Sequence, residues 1–147
     1  MNPHRTQPIR TGRLLLAGLV TGLIINIGEA ALHAGILADA TTAAYAALNR
    51  TIVPDPVNLA SLIAVTFAQG VLMAWLYGFI RPRFAGRSST AVFVGLAAWL
   101  LSSVYSAVYL HSGLPGIFPP HLVWIPVAWE LAEYPLAILA GAAMYGE

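Results

Sequence analysis

Three glutamates interrupt the most apolar stretches of this chain. Glu29 lies in the first stretch, and Glu130 and Glu133 lie in the last. A carboxylate is costly within hydrocarbon, so one found there is expected to bind, relay or neutralise something. Asn26 and His33 accompany Glu29. Gly18, Gly22, Asn26, Glu29 and His33 follow i, i+4, i+8, i+11, i+15 spacing, which is one face of a helix. Pro126, Glu130, Glu133, Ala137 and Gly141 form the equivalent stripe in the last stretch. Brought together, Asn26, Glu29, His33, Glu130 and Glu133 would hold a proton or a cation.

The chain has no lysine, and no arginine falls inside an apolar stretch. Carboxylates there can be relieved by protonation, by hydrogen bonds, by His33 as a cation, or by a bound cation. At least one glutamate is expected to carry a proton when no cation is bound. Two that share a proton would titrate as a unit.

Glu29 and His33 stand one helical turn apart and can reach the same ion. Carboxylate and imidazole together suit iron, manganese or zinc, so Glu29, His33, Glu130 and Glu133 are the candidate metal ligands. The spacing is not the Glu-x-x-His pair of di-iron bundles. His33, His111 and His121 fall on one side, but two of them sit at helix ends, which argues against haem. No cofactor is assigned.

The elements that must position these residues are legible from composition. The 147 residues are 59% hydrophobic and only 9% charged, far from the roughly one-quarter charged residues of soluble domains. Four apolar runs stand out, Leu14–Leu37, Val57–Ile80, Ser89–His111 and Leu122–Tyr145. Each is about 23 or 24 residues, or roughly 35 Å as helix, enough to cross a bilayer. The expectation is an all-α, four-transmembrane-helix bundle, with residues 1–147 as one integral membrane domain. Pro54, Asp55 and Pro56 punctuate the chain before the second run, and Arg81-Pro82-Arg83 closes it.

Arg5, Arg10 and Arg13 precede the first run; Arg81, Arg83 and Arg87 separate the second from the third; only Arg50 lies on the other side. The positive-inside rule then puts both termini in the cytoplasm. Compact loops and the arginine bias point to a bacterial inner membrane. The long outer segment is expected to hold an interfacial helix over Thr41–Asn49.

Counted from Leu37 and Leu122, Glu29 and Glu130 lie about eight residues in, or roughly 12 Å deep. Asn26 then matches Glu133, Gly22 matches Ala137, and Gly18 matches Gly141. This register predicts antiparallel contact of the first and fourth helices, with the small residues allowing close approach. Gln69, Ser102, Ser103 and Ser106 reach a similar range of depth and would complete a polar layer. Tyr105, Tyr109, Trp124 and Trp129 lie outward, where amphipathic rings form an interfacial belt. Pro126 and Pro135 would free backbone carbonyls or permit bending in the last helix.

A net charge of +1 argues against nucleic-acid binding. The absence of cysteine removes disulfides, thiolate metal sites and a cysteine nucleophile. There is no phosphate-binding loop and no Gly-rich dinucleotide motif. The leading reading is a carboxylate and histidine pocket for a proton or cation, suited to proton-coupled transport. The alternatives are a membrane oxidoreductase with metal or quinone at the same pocket, and a non-catalytic subunit of a larger membrane complex. The expected partners are the lipid bilayer and, through glycine-rich faces, further copies or a larger assembly.

Overall fold

The computed structural model describes residues 11–84 and 86–145. His4, Arg5 and Arg10 lie outside the described residues. Within them all regular structure is helical and there is no strand. Four segments are long and apolar enough to cross a membrane: Thr11–Ile36, Pro56–Arg83, Arg87–Gly113 and Pro120–Tyr145. Their ends fall within about one helical turn of the expected bounds.

Helix α1 (Thr11–Ala30) runs directly into a π-helical stretch, Ala31–Ile36. Helix α2 (Ala38–Ala47) follows. It starts three residues before the expected Thr41 and stops ahead of Asn49, which takes a φ of 55°. That left-handed backbone ends the helix, and Asn tolerates it better than most residues. Helix α3 (Pro56–Ile80) starts where the Pro-Asp-Pro punctuation predicts a boundary. Asp55 caps it by accepting from the Val57 N–H at 2.9 Å, and Pro56 occupies a first-turn position that needs no donor. The third segment is α4 (Arg87–Trp99), a second π-helical stretch (Leu100–Val104) and α5 (Tyr105–Gly113). Helix α6 (Pro120–Tyr145) contains both Pro126 and Pro135.

The helices pack most closely toward the end that carries Arg81–Arg87. A Cβ added at Gly18 would lie 2.5 Å from the Val71 Cα, and one at Gly22 would lie 2.9 Å from the Phe67 Cα. One at Gly70 would lie 2.6 Å from the Gly18 carbonyl oxygen and 2.7 Å from the Gly22 Cα. Here α1 and α3 touch backbone to backbone, which only glycines permit. This corrects the sequence reading, which turned Gly18 and Gly22 toward the last helix. The face of α1 that meets α6 lies one residue round. Gly141 packs on Ala17 and Thr21, the Thr21 hydroxyl approaches the Ala137 carbonyl at 3.4 Å, and Gly28 packs on Glu133. An α-helix turns about 100° per residue, so the two stripes are separate faces serving separate neighbours.

Helix α4 joins α6 through Gly95, which lies against the backbone of Pro135. The Trp99 indole donates to the Val127 carbonyl at 2.8 Å. Ile25, Met73, Tyr77, Val94, Tyr134 and Ile138 belong to one buried cluster between the four segments.

Helix α3 takes part in this core with only half its length. Gly70, Met73, Ala74, Tyr77 and Gly78 are buried. Every residue from Pro56 to Val65 is exposed.

Candidate functional site

The polar side chains gather just beyond the α1–α3 contact. Two of the segments that supply them turn π-helical nearby, and a third carries prolines. In α1 the π-helical turn begins two residues after Glu29 and carries His33. The third segment turns π-helical over Leu100–Val104, which presents Ser102 and Ser103. In α6, Pro126 and Pro135 bracket Glu130 and Glu133. A π-turn rotates the side chains that follow it off the regular helical face, and such turns concentrate at functional sites.

The His33 Nε2 lies 3.1 Å from the Glu29 Oε2. The His33 side chain is 52% exposed and that of Glu29 27% exposed, so this pair stands at the rim. Behind it, Glu133 is only 8% exposed. Its carboxyl lies directly against Gly28, in the space that a side chain there would fill. The Glu29 carboxyl and the Trp129 indole also lie within interaction range of Glu133. They do so without ordinary hydrogen-bond geometry: both Glu133 oxygens, Glu29 Oε1 and the Trp129 Nε1 are buried with no hydrogen-bond partner. Buried polar atoms without partners are uncommon in folded proteins and call for a physical explanation.

Glu130 faces the third segment. The Ser103 hydroxyl donates to its Oε2. The Tyr134 hydroxyl lies within interaction range of Gln69, Ser102 and Glu130, so side chains from three of the four segments approach one another at this level. Asn26 is half-buried and donates to the Gly22 carbonyl at 2.9 Å, one turn back in its own helix.

The structure therefore brings Glu29, His33, Glu130, Glu133, Gln69, Ser102 and Ser103 into one neighbourhood. Ser106 is exposed on the bundle surface instead. Asn26 spends its amide on its own helix. The four metal candidates do not form a ligand set: among the described residues no three His, Asp or Glu side chains are grouped as a metal ion would need. His111 lies at the end of α5, with its ring 5.8 Å from that of Trp124 in an edge-on contact. Tyr105, Tyr109 and Trp124 are exposed, as a belt requires. Trp129 departs from that expectation, with its indole N–H buried beside Glu133.

Two participants carried no distinct signal in the sequence, and a third, Trp129, read as an interfacial ring. Gly28 was hidden among many glycines, although its place beside Glu29 marks it. Tyr134 adjoins Glu133 in the sequence. Trp129 stands four residues before Glu133, on the same helical face. A cavity of about 380 Å³ lies elsewhere, between α2 and the turn before α6. Ala44, Leu48, Ile117 and Phe118 are among the residues that line it, and no carboxylate does.

No family model, curated protein or solved structure matches this chain.

Proposed function

We propose that this chain is an integral membrane protein that binds a proton or a cation at Glu29, Glu130 and Glu133. Exchange of the proton for the cation at these carboxylates is the elementary step of proton-coupled transport. The observation that carries the reading is Glu133. It is almost fully buried, both carboxyl oxygens lack a partner, and two further carboxylates stand close by. Described arginines lie only in end turns or loops, and the sequence contains no lysine. A buried carboxylate without a partner is strongly destabilising. A shared proton or a bound cation removes that cost.

In this reading the first and fourth helices run antiparallel, both termini face the cytoplasm of a bacterial cell, and the His33 rim faces outward. The Thr21–Ala137, Ala17–Gly141 and Gly28–Glu133 contacts support the helix pairing. The arginines between the second and third segments support the orientation.

The test is proton uptake by the purified protein in weakly buffered nanodiscs after a small pH jump. The wild type should take up protons in excess of its exposed groups, and adding a cation should release them. Glu130→Gln and Glu133→Gln should each abolish that pH-dependent exchange. Unchanged uptake and release in both variants would refute the assignment.

A further inference from the structure

The face of α1 that carries Gly18 and Gly22 does not end at Gly22. Asn26 and Glu29 continue it at i+4 and i+3 steps, and His33, from the π-helical turn, reaches back to Glu29 at 3.1 Å. At Gly18 and Gly22 this face is covered by α3, through Phe67, Gly70 and Val71. Farther along it is not covered. From Val65 back to Pro56, ten residues or about 15 Å of helix, α3 is exposed on every side. The two helices thus part just beyond Gly22 and form a fork, and Glu29 lies about 10 Å above its base at helical rise.

The two walls of the fork differ in chemistry. On α1 the wall is polar and acidic: Asn26, Glu29 and His33, with Glu133 seated behind Glu29 against Gly28. On α3 the face that touches α1 at Gly70 continues through Thr66, Ile63 and Leu59, at i, i−4, i−7 and i−11 spacing. Ile63 is 41% and Leu59 is 59% exposed. The Thr66 hydroxyl is turned back onto the Leu62 carbonyl at 2.9 Å. An acidic wall faces an apolar one, and the buried carboxyl behind the acidic wall has two oxygens with no partner.

We propose that this fork is a lateral portal for an amphiphilic cation, a lipophilic ammonium or phosphonium that enters from the bilayer. Its charge meets Glu29 and Glu133 while its apolar body lies on Leu59 and Ile63. The inference rests on the carboxylate cluster being a cation site, as argued above, and adds the class of cation and its route. Charge complementarity selects the sign, since three carboxylates meet no lysine or arginine here. The apolar wall selects the body, because a small hydrated ion gains nothing from Leu59 and Ile63.

The experiment is equilibrium dialysis of the nanodisc-embedded protein against tetraphenylphosphonium, with proton release recorded in parallel. Two probes serve as controls. Tetramethylammonium has the charge without the apolar body, and triphenylphosphine oxide has an apolar body without the charge. The wild type should bind tetraphenylphosphonium saturably and release protons on doing so, and should bind both controls far more weakly. Glu133→Gln should weaken binding by about thirtyfold or more, as loss of a buried charge partner does. Ile63→Trp alters only an exposed position and should narrow the fork, lowering tetraphenylphosphonium binding with the helical circular-dichroism signal intact. Equal binding of either control, or undiminished binding in Ile63→Trp, overturns the portal. If tetraphenylphosphonium does not bind while the pH-jump uptake persists, the portal fails and the proton site stands. If the uptake is also missing, both fail.

Discussion

Gly28→Ala separates site from scaffold more cleanly than removal of a glutamate. A methyl group at Gly28 would meet the Glu133 Oε1 directly and lie 2.7 Å from its Cδ. Carbon atoms in contact sit roughly 3.5 to 4.0 Å apart, so the carboxyl must retreat by about 1 Å. Glu133 is a flexible side chain and can do so by leaving its rotamer, at about 0.5–1.5 kcal/mol for a twist of about 30°. That corresponds to roughly a two- to twelvefold loss of affinity for the bound proton or cation. The same substitution favours the helix by about 1 kcal/mol, because alanine is the better helix former. The expected result is a thermal midpoint in detergent that is unchanged or raised, together with weakened cation-dependent proton release. An unchanged release curve would show that Glu133's position against Gly28 has no part in binding. A lowered midpoint with normal release would show that Gly28 serves packing alone.

Other outcomes follow from the same geometry. Gly70→Ala places a methyl group 2.6 Å from the Gly18 carbonyl oxygen, where only backbone could yield. It should lower stability by about 1–3 kcal/mol, read as a lower midpoint in a detergent melt. Trp99→Phe removes the 2.8 Å bond to the Val127 carbonyl. It should cost about 0.6–2 kcal/mol, typical of polar contacts between membrane helices, and leave proton uptake intact. The chain contains no cysteine, so Thr51→Cys and Ser88→Cys each give a single label. An impermeant maleimide applied to intact cells should modify the first and not the second; the reverse pattern would invert the proposed orientation.

The sequence determined the helical segments. Hydropathy is summed along the chain, so the four apolar runs and their Pro, Gly and Arg boundaries were legible without knowing what packs against what. The polar residues were legible for the same reason, since a glutamate or histidine stands out in such runs wherever it points. Which face meets which neighbour was not legible. Lipid-facing and protein-facing sides of such helices are equally apolar, so periodicity does not fix the rotation of a helix about its axis. Gly18 and Gly22 therefore read as a contact for the last helix and instead hold α3, while Ala17, Thr21 and Gly28 meet α6. Nor does the sequence show where a helix turns π-helical, as at Ala31–Ile36 and Leu100–Val104. Tertiary structure alone decided that Glu133 rests on Gly28, that Tyr134 lies near both Gln69 and Ser102, and that α3 parts from α1 beyond Gly22. Each depends on contacts between residues far apart in the chain.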